Sequence, residues 1–363
     1  MKIIVIQDYL RSGGTERQSL LLAGAFTAGH EVNLLTFRPG GPLSATASPA
    51  ITRRALQPFD TGLDWFAPGL TRAVAAIAPD VVLCMGRMAN CYAGRLQQKF
   101  PTIAVVATMR TGKRLPALFR RSLRRVRHIV ANSREAKLNL VAQHGLPDGK
   151  ISVIYNSLVF GGDSDLARNA AWRARYRAGP GTVVLVCVAM FRPEKNQREL
   201  IEIAATLPEK PDWQLWLAGD GPARGACERL VTERGLGARV KFLGFLRDPS
   251  AVLSAADVAV HASGSESLSN FVIEAQAHGL PAVVCAAQGI SECLLPGQTG
   301  WVLPAGDRAG FAARLQPLLA DEKFRRACGA RARGFARAQF EPGQQARAYL
   351  DLFAQLVELR PGP

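Results

Sequence analysis

The sequence predicts an α/β protein made of two Rossmann-like domains, and three observations lead there. At 363 residues the chain is long for one hydrophobic core, and the usual ~150 residues per domain gives two. Short runs rich in Val, Ile and Ala alternate with longer stretches of helical period, the pattern of a parallel sheet covered on both faces. The alternation comes in two series, parted by Ser157 to Gly181, where the periodicity lapses into Gly, Asp, Arg and Ala.

In the first series the predicted strands are Lys2 to Gln7, Val32 to Phe37, Val81 to Met85, Ile103 to Thr108, His128 to Ala131 and Ile151 to Ile154. Two helix starts are legible between them. Thr15 with Gln18, and Asn132 with Glu135, each set a capping residue three positions before Gln or Glu. The second series reads Thr182 to Ala189, Gln214 to Ala218, Val240 to Phe242, Val258 to Val260, Ala282 to Val284 and Trp301 to Leu303. A last amphipathic helix, Pro342 to Leu359, carries Ala346, Tyr349, Leu350, Phe353, Leu356 and Val357. The expected domains are therefore 1–160, with 343–363 as a helix crossing back to it, and 161–342.

A hydrophobic fraction of 48% and a charged fraction of 20% are those of a globular chain, and exclude disordered, collagen-like and coiled-coil classes. The first apolar run ends at Ile6, too short for a signal peptide, and no run of about 18 apolar residues exists for a membrane span. A cytoplasmic protein is expected. The seven cysteines form no CxxC pair and read as reduced packing residues. The net charge is +16, and its surplus is uneven: residues 1–165 hold 21 Lys+Arg against 10 Asp+Glu, the remainder 24 against 19. Such a surplus suits an acidic partner, whether nucleic acid, anionic lipid or phosphorylated glycan, and charge alone does not choose among them.

Two clusters carry candidate chemistry. In the segment from Ser263 to Val284, Glu266 and Glu274 stand eight residues apart. A helix beginning near Ser269 or Asn270 puts Glu266 in the loop before it and Glu274 about one turn inside, so both face an anion held at the helix N-terminus. About 75 residues earlier the strand ending at Ala189 runs into Arg192, Pro193, Glu194 and Lys195. Ligands of such folds bind beyond the carboxyl ends of the strands, where an Arg and a Lys can neutralise a diphosphate. Taken alone, the spacing of Glu266 and Glu274 reads more readily as two solvated glutamates on a surface helix than as a site, and the Arg192–Lys195 loop reads equally as ordinary solvated charge.

Taken in order, Gly13-Gly14-Thr15-Glu16-Arg17, Gly29-His30-Glu31-Val32, Ala131-Asn132-Ser133, Val153-Ile154-Tyr155-Asn156, Arg192 to Asn196, Leu217 to Pro222, Val240 to Phe245, Ala256-Asp257-Val258, Glu266 to Glu274, Gly289 to Glu292 and Gly300-Trp301-Val302 resemble the retaining GT-B glycosyltransferases of family four. The resemblance spans nearly the whole chain. It implies two Rossmann-like domains facing across a cleft, and retaining transfer of a sugar from a nucleotide-diphosphate sugar, with UDP favoured, to a glycan acceptor in cell-surface polysaccharide or lipopolysaccharide synthesis. Carried over by position, Arg192 and Lys195 bind the diphosphate, Glu274 the ribose and Glu266 the transferred sugar. The N–H groups of Ser269, Asn270 and Phe271 complete the diphosphate cradle, Gly244, Phe245 and Leu246 lie against the base, and Gly13 and Gly14 face the donor. Where many members carry a donor-contacting His, this chain has Arg110, with a phosphate or acceptor contact expected. The mechanism implied is front-side substitution, with a leaving diphosphate oxygen taking the acceptor's proton. No cofactor or metal is expected; Asp163-Ser164-Asp165 reads as solvated linker. The turn at Gly219-Asp220-Gly221-Pro222 reads as structural, and His261 and His278 as packing or loop residues, since no second His or Cys stands at ligand spacing.

Residues 112–128 interleave seven cations with Leu115, Leu118, Phe119, Leu123 and Val126. Two readings stand side by side: a basic amphipathic helix against the inner face of an anionic membrane, or an apolar stripe packed on the sheet beneath solvated arginines. Three rival functions fit the sequence less well. A nucleic-acid binder lacks any RNP, KH, zinc-finger or helix-turn-helix signature; a nucleotide-sugar epimerase of the same shape would turn over donor alone; a dinucleotide oxidoreductase lacks GxGxxG after Gly13-Gly14.

Overall fold

The computed structural model describes residues 1–159 and 170–359, and the chain forms two compact units. Met1–Ser157 and the segment from Pro342 make the first; Leu158–Glu341 makes the second. The Asp163-Ser164-Asp165 stretch lies outside the described residues.

The first unit runs β1 (Lys2–Gln7), α1 (Gly14–Phe26), β2 (Glu31–Thr36), β3 (Thr52–Ala55), α2 (Leu70–Ile77), β4 (Val81–Cys84), α3 (Arg87–Lys99), β5 (Ala104–Met109), α4 (Ala117–Arg125), β6 (His128–Ala131), α5 (Arg134–His144) and β7 (Ile151–Val153). All strands are parallel, in the order β3-β2-β1-β4-β5-β6-β7. Six were expected; β3 is the seventh. Its residues, Thr-Arg-Arg-Ala, form a largely exposed edge with no apolar run to betray it. Alternate side chains feed two cores, Ile4 and Ile6 on one face and Ile3 and Val5 on the other. The capping signals were displaced slightly: α1 is capped by Gly13, not Thr15, and α5 by Ser133, whose hydroxyl accepts from Ala136 N.

The second unit runs α6 (Ala170–Arg175), β8 (Val183–Val188), α7 (Gln197–Ala204), β9 (Trp213–Ala218), α8 (Arg224–Glu233), β10 (Val240–Gly244), α9 (Ser250–Ala255), β11 (Val258–His261), α10 (Asn270–Ala277), β12 (Ala282–Cys285), β13 (Gly300–Leu303), α11 (Arg308–Ala320) and α12 (Glu322–Gln339). Its six parallel strands are ordered β10-β9-β8-β11-β12-β13, the doubly wound arrangement. The order reverses between β8 and β11, which is where such sheets hold ligands.

The chain then returns to the first unit as α13 (Pro342–Glu358). Tyr349 and Phe353 pack edge-on against Phe26 of α1, and Gln345 bonds Tyr155 O (2.6 Å) and Gln18 Oε1 (3.1 Å). The apolar stripe of α4 is core: Leu115, Phe119, Leu123 and Val126 are all buried. The packed-stripe reading therefore holds for those four, which are withdrawn from any membrane, and only Leu118 of the set points outward.

Candidate active site

The β8–β11 junction gathers the second unit's charged residues. After β8 the chain passes Arg192, makes a single 3₁₀ turn at Pro193–Lys195, and enters α7 through Asn196 at φ 50°, a left-handed conformation that Asn tolerates. The Gly219–Pro222 turn shapes this path. Gly219 and Gly221 have φ of 135° and 147°, and a Cβ on either would meet the carbonyl oxygens of Ala189 (2.1 Å) or Phe191 (2.5 Å). That turn is a structural support, as expected.

Lys195 reaches Glu266 in the loop after β11, with Nζ 2.6 Å from Oε1. Both segments are further tied by Gly264 N donating to Glu194 O (2.9 Å). His261, the last residue of β11, puts Nε2 2.7 Å from the same Oε1, and its Nδ1 lies 3.8 Å from Cys187 Sγ on β8. Burial pushes the Cys187 thiol up to about 12, so it stays protonated and able to donate to Nδ1. Burial by itself would raise Glu266, but the His261 hydrogen bond and the Lys195 charge outweigh it and hold the carboxyl at about 2. A carboxylate so held accepts hydrogen bonds and does not donate a proton at neutral pH.

His261, expected from the sequence to be a packing or loop residue, is Glu266's partner. The available signal was its place immediately after an expected strand and just before the carboxylate's loop. His278 does remain local, with Nδ1 2.8 Å from Glu274 O at the end of α10.

The other expected residues distribute as follows. Glu274 sits half-buried in α10, and Arg192 is exposed. Asn270 and Phe271 open α10, where helical N–H groups lack intrahelical partners. Ser269 differs from expectation, because it is the N-cap, accepting weakly from Val272 N, and its own N–H donates to Cys293 Sγ at 3.3 Å. Gly244 ends β10 at φ 75°, followed by an exposed Phe245 and a half-buried Leu246. In the first unit Gly13 caps α1 and Gly14 is exposed at its start. Arg110 is drawn inward: it donates Nη2 to Asn156 Oδ1, beside the Tyr349 hydroxyl, and burial lowers its pKa. It is thus tied into the first unit's own interior.

Two family models match the chain, one described as Glycosyltransferase Family 4 over residues 12–158 and one as Glycosyl transferases group 1 over residues 169–335. The chain belongs to the family-four glycosyltransferases. The chain is 32% identical over 182 residues to the lipopolysaccharide core biosynthesis glycosyltransferase LpsE of Rhizobium meliloti, a match covering 50% of the chain and 53% of LpsE. It is 29% identical to N-acetyl-alpha-D-glucosaminyl L-malate synthase of Bacillus anthracis over 51% of the chain and 49% of that enzyme. The chain spans about half the length of the curated relatives it matches. Among solved structures, Anabaena HepE in complex with UDP superposes with a TM-score of 0.83 at 20% identity, covering 98% of this chain and 100% of HepE. WaaG, a glycosyltransferase involved in lipopolysaccharide biosynthesis, gives 0.75 at 16% identity over 97% and 99%. The fold is GT-B.

Proposed function

We propose that the chain transfers a sugar, with retention, from a UDP-sugar to a glycan acceptor in lipopolysaccharide or exopolysaccharide synthesis. The observation that carries this reading is the Lys195–Glu266–His261 constellation at the β8–β11 switch point, with Glu266 and His261 buried and Glu266 in the loop that leads into α10. The names of relatives support the substrate class: LpsE acts in lipopolysaccharide core synthesis, and HepE structures hold UDP and UDP-glucose.

In this reading Arg192, Lys195 and the first N–H groups of α10 hold the diphosphate. Glu266, kept ionised, accepts from hydroxyls of the transferred sugar, Glu274 binds the ribose, and Gly244–Leu246 flank the base. The bond from the anomeric carbon to the diphosphate breaks as the acceptor oxygen bonds the same face, and the acceptor's proton passes to the leaving diphosphate oxygen. Cations and a helix end stabilise the charge that builds there. Turnover is accordingly expected to persist in EDTA, and loss on chelation, restored by Mg or Mn, would contradict that. The reading also includes a cytoplasmic enzyme at an anionic membrane surface, with the cations of α4 facing the lipid; among the described residues no helix is long and apolar enough to cross a membrane.

The test is thermal shift against a panel of nucleotide sugars, where a donor at 100 times its Kd adds about 2.7 kcal/mol. NMR of the product then reads the anomer. A shift with a UDP-sugar and an α-linked product from an α-linked donor are expected; an inverted product, or no shift with any nucleotide sugar, would contradict the reading.

A further inference from the structure

The loop between β3 and α2 is built inside out. Its buried side chain is polar: Gln57 donates Nε2 to the carbonyls of Leu63 (2.9 Å) and Phe66 (2.6 Å), and its Oε1 accepts from Thr61 Oγ1 (2.8 Å). Its large apolar side chains face outward. Phe59 is 69% exposed and Trp65 55%, with Leu63 and Phe66 exposed beside them. Collapse of these rings onto the protein would be favourable if the loop were free to rearrange. It is held instead. Arg38 pairs with Asp60 (2.7 Å) and Asp64 (2.8 Å), Arg11 pairs with Asp64 (2.7 Å), and Tyr92 of α3 donates to Trp65 O (2.6 Å). Two arginines answer the loop's two aspartates, so its tip presents rings without net negative charge.

The frame continues into α4. Gly94 of α3 donates to Ser122 Oγ (2.7 Å), and a Cβ at Gly94 would meet Ser122 O at 2.7 Å, so glycine lets the two helices lie close. On the far side α4 shows solvent an exposed Leu118, 65% accessible, with Arg120 and Arg121 following and Arg114 before. The rest of its apolar stripe is in the core. So α4 offers charge with almost nothing to insert, and the loop offers rings with no net charge, both braced against α3.

We infer that the loop tip from Phe59 to Phe66 is the apolar anchor by which the first unit docks on an anionic lipid surface, with the cations of α4 supplying the attraction. The inference rests on the membrane part of the reading above and names the element that enters the lipid. Trp and other amphipathic rings settle at the level of the head groups, and stable peripheral attachment takes two signals, one apolar and one electrostatic. Anionic lipid matches the positive surplus of this half of the chain.

The test compares wild type, a Phe59→Ser/Trp65→Ser double variant and Trp65→Phe on vesicles of phosphatidylglycerol and of phosphatidylcholine. Wild type should sediment with the anionic vesicles at low salt and much less with the neutral ones, and the double variant should lose at least ~10-fold in partitioning, about what removing one ring from an apolar setting entails. Tryptophan emission of wild type should shift blue on the anionic vesicles, and Trp65→Phe should abolish the shift while still sedimenting. Donor turnover by the double variant without lipid should equal wild type, which separates this docking from the transfer reaction. Equal sedimentation of double variant and wild type would overturn the inference. So would a Trp65 shift elicited by a soluble oligosaccharide and not by vesicles, or by self-association that the double variant abolishes.

Discussion

Asp8 and Glu266 are buried carboxyls on opposite sides of the reversal in strand order of their two sheets, and they behave in opposite ways. Each follows a strand bordering the point where strand order reverses, β1 beside β4 for Asp8 and β11 beside β8 for Glu266. Both are buried. Asp8 accepts from Met88 N (2.8 Å) and Ala89 N (2.7 Å) at the start of α3, while Glu266 takes the Lys195 ammonium and the His261 ring. Burial raises Asp8 to about 6 in spite of its two backbone hydrogen bonds, with nearby Asp64 adding to the rise; Glu266 is held at about 2. Two N–H groups at a helix start do not offset desolvation here, whereas a side-chain cation with a second donor does. One sheet thus keeps a permanent carboxylate, and the other a carboxyl that titrates near neutrality.

The two groups bend stability with pH in opposite senses. Glu266, lowered from 4.5 to about 2, contributes stability that is present above its unfolded value and lost as pH falls through that interval. Asp8, raised from 3.8 to about 6, makes the folded state bind the proton more tightly, so its contribution declines as pH rises through that interval.

The largest expected effect is from Glu266→Gln: transfer falls at least ~100-fold, the scale of losing one preorganised charge contact, and the rise in stability from pH 2 to 4.5 flattens in urea unfolding series. Near-normal turnover in the folded variant would remove Glu266 from the site. Lys195→Met should follow, with transfer again down about 100-fold, and with the Glu266 midpoint rising because burial then acts with less opposition while His261 still opposes it. His261→Phe should cost about 10-fold in transfer, since a hydrogen bond to a charged group is lost while Lys195 remains; an unchanged rate would reduce His261 to packing. Cys187→Ala should shift rates only a few-fold. The smallest effect on transfer belongs to Asp8→Asn, which should leave turnover intact and erase the decline in stability between about pH 4 and 6. A large loss of turnover in Asp8→Asn would collapse the contrast by giving Asp8 a part in the reaction.

Much of this architecture could be read before any coordinates. The apolar runs mark twelve of the strands because a parallel strand buried on both faces must be apolar throughout, and β3 escaped because an exposed edge strand carries no such run. The helix starts at Gly13 and Ser133 lay within two residues of the expected caps, since several neighbouring small polar residues satisfy the same pattern. At the site, Lys195 and Glu266 were picked out, and the structure joins them across 71 positions of sequence. Cys187 and His261 were not seen as partners. Their contact arises from β8 and β11 lying side by side, a relation that no local spacing encodes. The basic stretch divides similarly: its charge was plain, but which apolar residues remained outside depended on how α4 packs on α3.

The most direct measurement of the central claim is release of UDP from UDP-sugars by wild type and Glu266→Gln, alongside equilibrium binding of UDP alone to both. Wild type should release UDP, Glu266→Gln should release it at least ~100-fold more slowly, and the two should bind UDP alike within about 2-fold, as the proposed role of Glu266 toward the sugar and not the nucleotide requires. Equal rates of release in the two proteins, or no release from any UDP-sugar by folded wild type, would contradict it.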